Sequence, residues 1–432
     1  MKKYSLPYGK QVQEVILPEE HVICDMHGNA SAVCKDVAAA TLEAIRNPIG
    51  RKPLREIVKA GESVVIVISD ITRLCGTDKF LPVIVKELND VGVKDEDITL
   101  LVATGTHRAH TPEEDIVVVG EELAKRLKIV QHDCRDKNAN VFVRTTTTGN
   151  QAYINKLIVE ADRVILTGAV TLHPFAGYGG GRKAILPGCA SYETIMFNHV
   201  NALDPEPGKG CNAKADASLI EGNPVALDMK EGCAVVDPDF LVNTVFTPDG
   251  EIAEVVAGDW WDAWKKGTED LIKMAGVEIP ELADVVIASS GGFPKDINLY
   301  QATKCHMNAA FAVKKDGIMI YVMECPDIKE PPIFSNYMVL DNLEEFEKDL
   351  RANFTFPGFV AFKTKNIIKD AKAFMVTKPE NFEFVAKTGH TPCASLEEAW
   401  ALAQEELAKR GKKDYTITIM GHGSATLPLL KK

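Results

Sequence analysis

SVVIVISDITR, residues 63–73, is the stretch on which the fold turns. Its first seven residues are an almost unbroken β-branched apolar run, the pattern of a strand buried on both faces. The run stops at the polar turn Asp70-Ile71-Thr72-Arg73. Two further stretches repeat the arrangement. DITLLVAT (97–104) gives way to Gly105-Thr106-His107-Arg108, and RVILTGAV (163–170) gives way to His173 and a glycine-rich loop. Helical signals fall between them. Thr111-Pro112-Glu113-Glu114 is a capping box with proline at the first helical position, which predicts a helix through about Leu127. Ser191-Tyr192-Glu193-Thr194 opens another, with His199 about two turns in. Strands alternating with helices predict an α/β protein built on largely parallel sheets. Ligands of such sheets bind beyond the carboxyl ends of the strands, so the three polar strand ends converge on one crevice if the strands are neighbours.

A chain of 432 residues is expected to form two or three domains. GVEIPELA (276–283) reads as a joint, after which ADVVIASS (283–290) begins a second α/β unit. There Gly291-Gly292-Phe293-Pro294 leads into a helix carrying Gln301 and Lys304, three apart and on one face. Strands follow at GIMIYVME (317–324), KAFMVT (372–377) and TITIMGHG (416–423), with a helix between Ser395 and Gly411. The expected division is 1–278 as a cofactor-binding and catalytic domain and 279–412 as the second domain. The tail 413–432 is expected to pack back on the first domain, with the active site in the cleft between the two.

The net charge of −12 argues against nucleic acid or anionic lipid as the main partner. No apolar run reaches membrane-span length, and the N-terminus lacks the apolar core of a signal peptide. Ten cysteines, none in a CxxC pair, read as reduced thiols of a cytoplasmic protein. Cys24 with His27, and His132 with Cys134, are half-sites for a metal without a second half nearby. Trp260, Trp261 and Trp264 read as a packed aromatic cluster near the domain joint.

The chemistry concentrates in TLHPFAGYGGGRKAILPGCASYETIMFNHV, residues 171–200. Gly177, Gly179, Gly180 and Gly181 give a backbone able to take positive φ and to let a ligand approach its amides. Arg182 and Lys183 follow, so the loop invites a phosphate or a carboxylate. It is not a P-loop, because Ala184 stands where that motif needs Ser or Thr. His107, His173 and His199 suit acid–base work or metal binding. Arg73, Arg108, Arg182 and Lys304 are candidates to clamp a carboxylate, and Asp70 to accept hydrogen bonds from ribose hydroxyls.

On Asp70-Ile71-Thr72-Arg73, Ala103-Thr104-Gly105-Thr106-His107-Arg108, the His173–His199 segment and Tyr300-Gln301-Ala302-Thr303-Lys304, the chain resembles the nickel-dependent lactate racemase family of 2-hydroxyacid racemases and epimerases. The resemblance runs through most of the chain. It implies a nickel-pincer nucleotide tethered covalently to Lys183, with His199 as the protein's ligand to nickel. It implies His107 and His173 as the acid–base pair on opposite faces of a small anionic 2-hydroxy acid. Asp70, Thr72, Gly179, Gly180 and Arg182 would then lie near the cofactor, and Arg73, Gln301, Lys304 and Phe359 around the substrate. Separate maturation proteins would make the cofactor.

The chain also departs from that pattern. Leu74 follows Arg73 where the family commonly has proline, Phe359 takes the place of a tryptophan, and Cys305-His306-Met307-Asn308 replaces a run of small residues. His306 is expected on a helix surface. These changes around the carboxylate clamp point to a 2-hydroxy acid other than, or in addition to, lactate. Two alternatives compete: a metal hydrolase with His107, His173 and His199 as ligands, and a non-catalytic anion-binding homologue.

Overall fold

The computed structural model describes residues 1–29, 31–248 and 250–431. The chain divides into two compact units, one formed by 31–202 and 212–272, the other by 1–30, 203–211 and 273–432.

In the first unit, six strands lie in the order Ile252–Gly258, Phe240–Phe246, Arg163–Val170, Val64–Ser69, Ile98–Ala103, Lys128–Gln131. All neighbours are parallel except the edge strand Ile252–Gly258. Val64–Ile68 and Leu100–Val102 are buried, as their unbroken apolar runs predict. Ile66, Ile68, Leu100 and Val102 pack with Phe80, Ile84 and Leu88 of the helix Thr77–Asp90 and with Ile45 of the helix Val37–Arg46. The chain winds outward from Val64–Ser69 to one edge and then returns to its other side with Arg163–Val170. Those two adjacent strands therefore flank the switch point of the sheet, where such folds open a crevice. The turn at Asp70 and the loop beyond Val170 sit at that place, and the turn carrying His107 is one strand away.

The capping box at Thr111 forms, but the helix expected through Leu127 is two helices, Pro112–Val119 and Glu121–Arg126. Gly120 breaks it with φ of +85° and ψ of 151°, a conformation outside the helical region.

The second unit holds six parallel strands in the order Thr391–Cys393, Lys372–Val376, Val313–Val322, Ala283–Ser289, Ile417–Met420, Val22–Met26. This corrects the expected division twice. The tail strand Ile417–Met420 lies inside this sheet and does not return to the first unit. The first thirty residues belong here as well. The hairpin of Lys2–Tyr8 and Gln11–Leu17 alternates so that Tyr4, Leu6, Val15 and Leu17 join a core with Ile287, Ile320 and Ile419. That period-two burial has no use in a free N-terminus. Among the described residues no helix is long and apolar enough to cross a membrane.

Candidate functional site

The turn after Val64–Ser69 is built around Asp70. Its Oδ1 accepts from Thr72 N at 3.1 Å and from Thr72 Oγ1 at 2.7 Å, and its Oδ2 accepts from His107 Nδ1. Asp70 is buried while His107 is exposed on the neighbouring strand end. Burial works to raise the Asp70 pKa, but the hydrogen bonds from His107 and Thr72 and the charge of Arg73 outweigh it and hold the carboxyl below its usual range. A carboxylate bonded at Nδ1 fixes the proton there and leaves the lone pair of a neutral ring on Nε2. Asp70 therefore orients the His107 imidazole, and this pairing is what its second oxygen makes in the structure. His110, which composition alone did not single out, supports the turn: its Nε2 accepts from Ile71 N at 2.8 Å while Nδ1 bonds Asp115 at 2.9 Å.

On the other side of the switch point the imidazole of His173 is set the opposite way. Its Nδ1 accepts from the backbone N–H of Ala176 at 3.2 Å and of Phe175 at 3.5 Å. A neutral His173 ring therefore carries its proton on Nε2, which lies 3.4 Å from Lys183 Nζ. Burial, followed by the charges of Lys183, Arg73 and His199, pushes the His173 pKa well below its ordinary value. Burial, then Arg73 and Arg182, does the same to Lys183. Such a shift favours the neutral, nucleophilic form of a lysine amine. Phe175 stands edge-on to both His173 and His199, with ring centroids 4.6 and 5.1 Å away. The pKa of His199 is driven down to about 3, by burial first and then by Lys183 and Arg73. Arg73 thus weighs on Asp70, His173, Lys183 and His199 together. Its side chain is exposed and makes no ion pair among the described residues, which suits it to an incoming carboxylate.

The glycine loop is shaped by the protein's own packing. A Cβ on Gly180, at φ +68°, would stand 2.6 Å from Asn243 Oδ1 and 2.7 Å from the Ala169 carbonyl. A Cβ on Gly181 would stand 2.6 Å from the Trp264 ring, and on Gly177 2.3 Å from the Leu219 carbonyl. Neighbouring backbone and rings press on these glycines, so packing alone already requires them. Two residues hold the loop: Asn243, not singled out in the sequence, and Trp264, expected there only as part of an aromatic cluster. Asn243 Oδ1 accepts from Gly181 N at 2.8 Å, and Trp264 Nε1 donates to the Gly179 carbonyl at 2.8 Å.

Arg182 is fully buried beneath the loop, stacked over Trp264, with one Nη donating to the Ala176 carbonyl at 2.8 Å. Its Nε and other Nη have no partner among the described residues, and burial lowers its pKa to about 9. It braces the loop, and its charge adds to burial and Arg73 in lowering the Lys183 pKa; it is not an exposed clamp. Arg108 is no clamp either, since both its Nη atoms donate to Glu114, at 2.7 and 2.6 Å.

Gln301 and Lys304 belong to the other unit. They share the exposed face of the helix Leu299–Ala309, where Lys304 Nζ donates to Gln301 Oε1 at 3.3 Å. Phe359 is fully buried with its ring stacked on Phe354, a core position and not an open substrate wall. His306 is buried too, against the surface position expected: it stacks on Tyr321, and its Nε2 lies 3.0 Å from His390 Nε2. His132 uses both ring nitrogens on Ala190 and Asn155, which removes it as half a metal site. Cys75 and Cys189 are buried thiols with pKa values raised by that burial, so neither is a ready nucleophile. Among the described residues no three His, Cys, Asp or Glu side chains converge to hold a metal, so the three-histidine hydrolase has no ligand set.

What the chain brings together here is a buried lysine amine and three imidazoles, two of them held in opposite tautomers. Comparison with known proteins gives this arrangement its context. Residues 8–210 match the model of the lactate racemase N-terminal domain and residues 279–427 that of the C-terminal domain. A lactate racemase of Thermoanaerobacterium thermosaccharolyticum is 31% identical over 420 residues, covering 94% of this chain and 95% of the relative. A lactate racemase of Lactiplantibacillus plantarum is 33% identical over 319 residues, 73% of each chain. The solved lactate racemase apoprotein of T. thermosaccharolyticum superposes with a TM-score of 0.84 at 29% identity and full coverage of both chains. A Thermotoga maritima protein shares the fold, with a TM-score of 0.59 at 16% identity over 93% of this chain and all of the other. With both domain models matched and a relative aligned along nearly its whole length, the chain belongs to the lactate racemase family.

Proposed function

We propose that the protein is a racemase or epimerase of a 2-hydroxy acid that uses a nickel-pincer nucleotide held on Lys183, with His199 as its metal ligand. The observation that carries this reading is the opposed setting of His107 and His173: one imidazole held with a lone pair on Nε2, the other with a proton there. The residues present fit the group. Burial and the neighbouring cations push the Lys183 pKa well below its ordinary value, which favours a nucleophilic amine, and His199 has its Nδ1 turned to Asn198 at 3.1 Å, so that Nε2 would be the metal-binding nitrogen. When bound, the cofactor supplies a hydride acceptor, so that the carbinol carbon can be inverted through a 2-keto acid without a carbanion beside a carboxylate.

The chain's own residues do the rest. Arg73 holds the substrate carboxylate. His107 takes the hydroxyl proton, and Asp70 stabilises the imidazolium that forms. When the carbonyl turns over, His173 serves the oxygen from the opposite face. Two imidazoles are needed because the two enantiomers present their hydroxyls on opposite sides. Leu74, 60% exposed beside Arg73, adds apolar surface next to the clamp and supports a substrate other than, or in addition to, lactate. Gln301 and Lys304, on an exposed helix face of the second unit, are proposed as further anion-binding residues.

The test is peptide mass analysis of protein made with and without the family's maturation enzymes. An adduct on Lys183 only in the first, absent from Lys183→Ala, is the expected result. A 2-hydroxy acid deuterated at the α-carbon should keep its label in the inverted product. Complete washout in the first turnovers, or an unmodified lysine beside a working control racemase, would refute the reading. The second of these outcomes would leave the anion-binding homologue.

A further inference from the structure

Behind His199 lies a buried polar network that neither the acid–base pair nor the lysine explains. Asp228, on the helix Pro224–Val236, is fully buried and accepts four hydrogen bonds. They come from Thr146 Oγ1 at 2.6 Å, Thr148 Oγ1 at 2.7 Å, Asn150 Nδ2 at 2.8 Å and Asn198 Nδ2 at 2.8 Å. Asn198 is also fully buried, and its Nδ2 donates a second bond to the Val225 carbonyl at 3.1 Å. Both neighbours of that nitrogen are acceptors only, so the amide has a single allowed orientation. Its Oδ1 is thereby turned to His199 Nδ1, 3.1 Å away. An oxygen that can only accept requires the imidazole to donate, so the proton sits on Nδ1 and the lone pair on Nε2.

We infer that Asp228 and Asn198 are positioning residues that fix the tautomer of His199, so that its Nε2 is ready as a metal ligand before any cofactor arrives. The inference rests on the reading of His199 as the nickel ligand. Imidazole ligands generally need such a partner at the second nitrogen, and loss of it typically weakens metal binding by about 10- to 100-fold. The same side chain gathers the Thr146–Asn150 loop, so ring and loop are set by one buried carboxyl group. An apolar core would hold the helix equally well but would leave the ring free to take either tautomer.

Long-range proton–nitrogen spectra of histidine-labelled, cofactor-free full-length protein test the inference directly. The parent should show His199 protonated on Nδ1. In Asp228→Ala the Asn198 amide loses the carboxylate that holds its nitrogen, and the Nε2-protonated form of His199 should appear beside the other. Asn198→Ala, which removes the accepting oxygen itself and should fold if Asp228→Ala does not, should also give a mixture. In the loaded protein both variants should keep the organic adduct on Lys183 but release nickel to a chelator about 10- to 100-fold faster than the parent. A parent protonated on Nε2, or variants with unchanged tautomer and unchanged nickel release, would overturn the inference and leave the proposed function standing. A loaded parent with no nickel would overturn both.

Discussion

Replacing Asp70 by Asn tests the central pair with almost no change of shape. In the parent, Oδ1 is held by two Thr72 donors and Oδ2 faces His107 Nδ1. The Thr72 donors keep the oxygen of an asparagine on their side, so its NH2 is turned to His107. Nδ1 must then accept, and the proton moves to Nε2, the nitrogen that should act as base. The charge that would stabilise the imidazolium is lost as well. Two unit charges about 4 Å apart at an effective dielectric of about 20 interact by roughly 4 kcal/mol. His107 is 40% exposed in its side chain, so solvent screening trims this to about 3 kcal/mol. At about 1.4 kcal/mol per decade, kcat should fall by roughly 10²-fold. The assay is kcat with a turned-over 2-hydroxy acid, normalised to Lys183 adduct occupancy by intact mass, with the His107 tautomer read by nitrogen NMR. Asp70→Asn with parental kcat at equal occupancy, or with Nδ1 still protonated, would refute the pairing.

Three other perturbations follow from the same structure. Gly180→Ala meets backbone and a fixed amide at under 3 Å, whereas Gly61→Ala at φ +82° meets open space. Urea denaturation should show a loss of about 3 kcal/mol for the first and about 1 kcal/mol for the second. His306 and His390 are buried as a neutral pair, with pKa values pushed below the ordinary 6.5 by burial. The unfolded chain then binds more protons below pH 6.5, so stability is full above that pH and declines as it falls. His390→Gln should make the acid limb shallower by about 1.4 kcal/mol per pH unit, and an unchanged slope would count against the pair. Asp284 is pulled the other way: burial would raise its pKa, but Lys412, Lys314 and Thr416 bring it to about 2 from 3.8. Its contribution is present above pH 3.8 and lost as pH falls through 2. Asp284→Asn should therefore cost about 2 kcal/mol at neutral pH, measured by denaturant titration, and nothing near pH 1.5.

Much of the molecule is legible in local pattern. The strands at 64–69, 98–103 and 163–170, the Thr111 and Ser191 caps, and the placing of polar residues at strand ends all follow from runs of a few residues. Apolar burial and capping act over one or two turns of chain, and the letters that cause them stand side by side. Lys183, His107, His173 and His199 were visible as candidates for the same reason: each closes or follows such an element.

What lay beyond the sequence is a matter of long-range partners. Asp70 and His107 stand 37 positions apart, and only the parallel pairing of their two strands makes them a dyad. Asn243 and Trp264 reach the glycine loop from 62 and 85 positions away. Arg182 was legible as a cation but not as a buried one. The N-terminal hairpin carried its period-two signal openly, yet nothing local says which core it joins. Residue types and their spacing determined the secondary structure and the chemical inventory of this protein. Which nitrogen of each imidazole carries the proton was decided only by tertiary structure, because a ring's tautomer is set by the partner that folding brings to its second nitrogen.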